Sequence, residues 1–188
     1  MCLPIDRACI LLVCVRGGPT VVPRGVTEGD HELEIYPLSN YKRFVAYNAR
    51  WRMPFEESLS TSKLYYSFEV SKVHVIMLGS YVDFDPGLDQ YKWLEHDLSK
   101  VNRTTTPWLF VVVHAPWYNS NFAHQGEKES VGIRESMEEL LYNARVDIVF
   151  AGQVLAYEPF VSHFDSFLLE KLQVLSFIFM PLFRRCPF

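Results

Sequence analysis

The chain has 188 residues, about one domain's length, and its 49% hydrophobic content is enough for a sizeable core. A formal charge of −4 with a pI near 5.9 argues against a nucleic-acid footprint, which needs a basic stripe. The four cysteines, Cys2, Cys9, Cys14 and Cys186, all lie near the ends, which is neither a disulfide framework nor a zinc pattern.

Residues 1–26 read as irregular, punctuated by "RGGP" at 16–19 and "PRG" at 23–25. Within them "ACILLVCV" follows a single Arg7, and its flanks fit a secretion signal poorly. "KLYYSFEV" (63–70) and "VHVIMLG" (73–79), separated by "SK", read as a hairpin of β-branched and aromatic strands. "DFDPGLDQYKWLEHDLSKV" then reads as a helix over about 87–100. Asp85 serves as its N-cap, Pro86 as its first position, and Leu88, Tyr91, Leu94, Leu98 and Val101 form its apolar face.

"TTTP" breaks that helix, and "WLFVVVH" (108–114) reads as a buried strand with His114 at its end. A second helix is expected over about 130–144, because Ile133, Met137, Leu140, Leu141 and Ala144 fall on one face. "VDIVFAG" (146–152) is the next buried strand. The tail "VLSFIFMPLF" (174–183) is shorter than the roughly 20 apolar residues needed to cross a bilayer, so no membrane span is expected. "NRT" makes Asn102 a glycosylation acceptor if the chain is secreted. Strands alternating with helices indicate an α/β layered domain, in which chemistry gathers just past strand ends.

Three segments put acid/base or metal-ligating side chains at such places. They are "EGDHELE" (28–34) with Asp30 and His31, "VVVHAPWYNSNFAH" with His114 and His124, and "VFAGQVLAYE" with Gln153. Histidine and carboxylate at strand ends suit divalent metal binding or proton transfer. Each also has a plain structural reading: a strand-end histidine is commonly just hydrogen-bonded, His31 can cap a turn, and His124 can be solvated. His74, His96 and His163 read as structural or surface residues.

Taken together, these segments resemble the plant purple acid phosphatases, members of the calcineurin-like metallophosphoesterases. "VTEGDHELE" is similar to that family's Gly-Asn-His-Glu block. "YNARWRMPFEES", "LYYSFEVSKVHVIMLGSYVDFDPGLDQYKWLEHDLSKVNR", "TPWLFVVVHAPWYNSN" and "VDIVFAGQVLAYE" follow its catalytic domain in order. The resemblance covers about residues 26–158 and leaves 1–25 and 161–188 unmatched. It divides the chain into an N-terminal segment, a partial metallophosphoesterase domain over 26–160 and an apolar C-terminal tail. The fold it implies is α/β: a layered β-sheet sandwich flanked by helices, here without its first strands.

The resemblance implies hydrolysis of phosphate monoesters at acid pH by two metals, ferric iron with zinc or manganese, that clamp the attacking and leaving oxygens. It places Asp30 at the family's asparagine ligand, His114 at the strand-end histidine ligand of the divalent metal, and Gln153 at a further ligand position. It gives His31 and His124 to the substrate phosphate, His124 also protonating the leaving alkoxide. It implies a secreted glycoprotein. The family's last strand ends Gly-His-x-His, whereas this chain reads Gly152-Gln153-Val154-Leu155, and Pro159 stands where an arginine is expected. The family's upstream aspartate motifs and purple-colour tyrosine have no counterpart in residues 1–26, where Asp6 is the only aspartate. These departures count against catalysis by this chain and support a second reading, a non-catalytic remnant or interaction fragment of the same fold.

Overall fold

The computed structural model describes residues 12–13, 25–34, 42–120, 122, 124–154, 158–161 and 173–176. The four cysteines, the signal-like segment other than Leu12 and Val13, Leu155 and His163 lie outside them. The strands are β1 (Leu12–Val13), β2 (Gly25–Val26), β3 (Tyr66–Val70), β4 (Val73–Leu78), β5 (Trp108–Val113), β6 (Ile148–Ala151), β7 (Glu158–Val161) and β8 (Gln173–Ser176). The α-helices are α1 (Val45–Arg50), α2 (Asp89–Lys100) and α3 (Lys128–Asn143), and Asp30–Leu33 is a 3-10 turn. β1 and β2 form a short antiparallel ladder, and the other six strands form one mixed sheet in the order β3-β4-β5-β6-β8-β7.

The expected hairpin is β3 and β4, antiparallel from Tyr66 opposite Met77 to Val70 opposite Val73. β4, β5, β6 and β8 run parallel, with Leu78 beside Val113 and Val113 beside Ala151. Their carboxyl ends therefore lie along one edge. His74 to Leu78 in β4 and Val111 to Val113 in β5 are buried without alternation, so both faces of the sheet are covered there. The last two strands extend the sheet past the sequence motifs, which end at Glu158, the first residue of β7: β8 pairs with β6 and β7 closes the edge.

Helix α2 differs from its sequence-based expectation in start and in face. Gly87 takes a left-handed φ of 89°, which cannot continue a helix, so Asp85 and Pro86 belong to a turn closed by Leu88 N–H to Asp85 O at 3.1 Å. Leu88 is the N-cap residue and is exposed. The buried positions are Gln90, Trp93, Leu94 and Asp97, one i, i+3, i+4, i+7 face with two polar members. Each polar member has a partner that burial requires. Gln90 Nε2 donates to Gly79 O at 3.0 Å, and its Oε1 accepts from Gly79 N at 2.7 Å. Asp97 is bonded by Ser67 and His74. Tyr91, Leu98 and Val101 pack only at the margin of the core. Helix α3 keeps its expected face, burying Ile133, Met137 and Leu141.

Tyrosine hydroxyls hold the N-terminal part against this frame. Tyr47 Oη donates to Val26 O at 2.7 Å. Tyr66 Oη donates to the same oxygen at 3.0 Å and accepts from Val26 N at 2.7 Å. Burial raises both phenols above the ordinary tyrosine range, so they stay protonated donors. Two residues on, Glu28 is fully buried. Its Oε1 accepts from Tyr81 N at 3.3 Å and its Oε2 has no partner. Burial pushes its carboxyl up to about 8.

Two outcomes are expected from this packing. Gln90→Met keeps the volume but orphans both polar groups of Gly79, and costs about 1–3 kcal/mol for each. It shows as a lower denaturant midpoint with an unchanged slope. Glu28 favours the folded state only while protonated. Its contribution is complete below its ordinary value of 4.5 and is lost as pH rises through about 8. Urea unfolding between pH 5 and 8 is expected to show stability falling with pH, and the fall to be much smaller in Glu28→Gln.

Candidate functional site

The carboxyl ends of β4, β5 and β6 bring the candidate residues to one edge. Ser80 follows β4, and its Oγ accepts from Ala115 N at 2.9 Å, joining the loops after β4 and β5. Gly152 follows β6, and its N–H donates to His114 O at 3.1 Å, joining the loops after β5 and β6. His114 is thus fixed by its backbone between two neighbours. Its ring packs 5.8 Å from that of Tyr81, centroid to centroid, and is fully buried.

The segment carrying Asp30 and His31 reaches the same place from the far side of Val26. Gly29 O accepts from Glu32 N at 3.1 Å, and Glu32 Oε2 accepts from Gly29 N at 2.6 Å, so the 3-10 turn is tied to its own start. Glu34 then accepts from Val45 N at 2.7 Å and from Ala46 N, at the start of α1, which fixes the turn's exit. Asp30 Oδ1 stands 3.7 Å from His114 Nε2 and 3.8 Å from His31 Nε2. These are electrostatic contacts, longer than hydrogen bonds. His114 beside it holds the Asp30 carboxyl below the usual carboxylate range, against the opposing effect of partial burial. His31 is half exposed.

His124 and Gln153 form a second group. Both take left-handed backbone angles, φ 63° and 66°, a strain that non-glycine residues keep only where their surroundings impose it. His124 Nδ1 lies 2.7 Å from Glu127 Oε1 and 3.1 Å from Gln153 Nε2. One ring nitrogen cannot both donate to a carboxylate and accept from an amide. The closer, charged Glu127 takes the Nδ1 proton and fixes the ring. Gln153 Oε1 is buried and has no partner. Asn102 lies apart, exposed at the opposite end of β5, its Oδ1 accepting from Thr104 N at 3.0 Å.

Sequence reasoning missed Glu127, Tyr81 and Glu28. Glu127 carried a usable signal, three residues after His124. Tyr81 and Glu28 carried none, because their roles depend on the crossing of two loops.

The donor set can be compared with metal binding. Both ring nitrogens of His114 are buried without a partner, which costs about 1–3 kcal/mol for each orphaned group and calls for an explanation. With the Asp30 carboxylate 3.7 Å away, Nε2 fits one cation. Among the described residues no three His, Cys, Asp or Glu side chains converge on one metal, so any ion held here has two such donors at most. A two-metal centre therefore does not fit the described residues. No described helix is long and apolar enough to cross a membrane.

Comparisons with known proteins bear on the family and the fold. A family model for the calcineurin-like phosphoesterases matches residues 4–154. The chain is 67% identical over 138 residues to "Probable purple acid phosphatase 20" of Arabidopsis thaliana, covering 73% of this chain and 32% of that relative. It is 62% identical over 138 residues to "Purple acid phosphatase 22" of the same plant, covering 73% and 31%. It is 44% identical over 133 residues to the "Purple acid phosphatase" of Glycine max, covering 70% and 28%. The chain thus spans about a third of the length of the curated relatives it matches. Among solved structures, a purple acid phosphatase isolated from yellow lupin (Lupinus luteus) seeds shares the fold. Its TM-score is 0.64 at 20% identity, covering 80% of this chain and 30% of that one. The chain belongs to the calcineurin-like phosphoesterase family, and within it stands with the purple acid phosphatases.

Proposed function

We propose that the chain carries part of the active site of a phosphate monoester hydrolase. The observation that carries this reading is His114: fully buried at a strand end, both ring nitrogens unpartnered, with the Asp30 carboxylate 3.7 Å away. Asp30 and His114 would hold one divalent cation, with Gln153 Oε1 as a third donor. An imidazole, a carboxylate and an amide oxygen suit zinc or manganese. Such an ion supplies charge that offsets the phosphoryl oxygens. The family's second metal, ferric iron, finds no set of ligands among the described residues.

The chain's own residues do the rest. His31, half exposed beside Asp30, binds a phosphate oxygen as a cation or N–H donor. His124 has its Nδ1 committed to Glu127, which leaves Nε2 to donate a proton to the leaving alkoxide. Glu127 fixes the ring that makes that transfer, and hydrolysis at acid pH is taken from the family resemblance. A secreted location and a glycan on Asn102 complete the reading.

The runner-up, a non-catalytic remnant, rests on one observation. Gln153 contacts His124 at the position where the resemblance implies a histidine ligand.

Elemental analysis after exposure to iron, zinc and manganese, paired with phosphate release from p-nitrophenyl phosphate at acid pH, separates the two. The hydrolase reading expects His114→Ala to lose one metal equivalent together with activity. It expects His124→Ala to keep the metal and lose 10²–10⁴-fold in kcat, the usual worth of a general acid. No release from the folded parent chain establishes the remnant, and equal release from the parent and His114→Ala overturns the role given to His114.

A further inference from the structure

The other end of the sheet holds a polar cluster that the proposed reaction does not use. His74 is the second residue of β4 and lies five residues before Gly79, about 16 Å of extended chain from the Asp30–His114 edge. Its Nε2 lies 2.9 Å from Asp97 Oδ2, and Ser67 Oγ donates to Asp97 Oδ1 at 2.8 Å. A carboxylate only accepts, so the proton between the two side chains belongs to His74 Nε2 and the neutral ring carries its lone pair on Nδ1. That Nδ1 is buried and has no hydrogen-bond partner. Glu69 Oε1 stands 3.7 Å from it, too far for a hydrogen bond. The His74 and Asp97 side chains are 10% and 8% exposed and that of Glu69 is 62% exposed. A cavity of about 520 Å³ opens over the cluster, lined among others by Glu57, Glu69, His74, Asp97 and Lys100.

We propose that His74 Nδ1 and the Glu69 carboxylate form a binding site for a divalent cation of the zinc type, separate from the Asp30–His114 pair. Histidines that bind a metal through one nitrogen almost always donate the other N–H to a carboxylate, which fixes tautomer and ring orientation. Asp97, itself oriented by Ser67, does this for His74 with no metal ligand yet in place. The spacing agrees. Two ligands about 2.0–2.1 Å from a tetrahedral zinc lie about 3.3 Å apart. The 3.7 Å gap closes when the exposed Glu69 side chain turns slightly inward. The lining favours a cation, with Glu57, Glu69 and Asp97 against Lys100. Imidazole with carboxylate selects zinc over magnesium or calcium, which prefer all-oxygen sites. Water from the cavity completes the coordination, so binding is weaker than at a closed four-ligand site. Occupancy pins the β3–β4 hairpin to α2 through the existing His74–Asp97 bond.

Zinc alone, titrated by calorimetry at neutral pH into the full chain carrying His114→Ala, is expected to bind with one equivalent. His74→Gln in that background keeps an amide N–H for Asp97 but offers no imidazole, and is expected to lose that equivalent. Glu69→Gln is expected to weaken it tenfold or more. An equivalent that survives His74→Gln, or none in a folded His114→Ala chain, overturns the proposal. Should His114→Ala fail to fold, nitrogen-15 NMR of the unsubstituted chain decides: zinc is expected to shift the His74 Nδ1 resonance, and an unmoved resonance overturns the assignment.

Discussion

The backbone N–H and carbonyl of Val26 are gripped by two tyrosine hydroxyls, and the placing of the candidate site depends on that grip. Tyr47 reaches it from α1 and Tyr66 from β3, and both the carbonyl and the N–H of Val26 are satisfied. β2 has only two residues, too few to position anything by ladder hydrogen bonds alone. Side chains make up what the strand lacks. The chain leaves Val26 in a fixed direction, Glu28 buries itself under the loop after β4, and the 3-10 turn delivers Asp30 to within 3.7 Å of His114. Loosening either tyrosine would leave the sheet intact and move Asp30.

The same economy recurs across the strand ends. Ser80 ties the loop after β4 to the loop after β5, and Gly152 ties the loop after β6 to His114. Gln90 pairs with Gly79 as a neighbouring strand would, donating to its oxygen and accepting from its nitrogen. A β-carbon on Gly79 would sit 2.8 Å from a Val82 methyl and 3.1 Å from Leu64 O, so the close approach there excludes any larger residue. Three parallel strands therefore end in loops tied to one another, through the Ser80 hydroxyl on one side and a backbone hydrogen bond on the other. A scaffold of this kind holds side chains to a narrow range of positions.

Much of this was legible in the sequence, for physical reasons that can be named. β4 and β5 announced themselves as unbroken apolar runs because both their faces are covered. Helix α3 announced itself because its buried face is wholly apolar apart from Ser130. Helix α2 was read with its face rotated: Leu94 is buried as expected, while Tyr91, Leu98 and Val101 pack at the margin of the core. Gln90 and Asp97 point inward, and hydropathy treats any polar residue as outward-facing. Its start was misplaced because Gly87 adopts a conformation that Asp85 and Pro86 do not reveal. At the site, His114, Asp30 and His124 were visible as residue types at strand ends. The pairing of His124 with Glu127 and the burial of Glu28 were not, since both follow from how loops fold over one another.

The His114 ring has no exposure at all, while Asp30, its charged neighbour, is 38% exposed. Anything that is to touch the ring nitrogens has to wait until a neighbour moves aside. One such neighbour is the short turn at Asp30–Leu33, none of whose residues is fully buried; it is tied by hydrogen bonds at its two ends, by Phe44 N–H to Glu32 O and by Leu33 against the core. Such segments open far more readily than core strands. Access to these nitrogens from solvent therefore depends on how often one turn of chain lifts away.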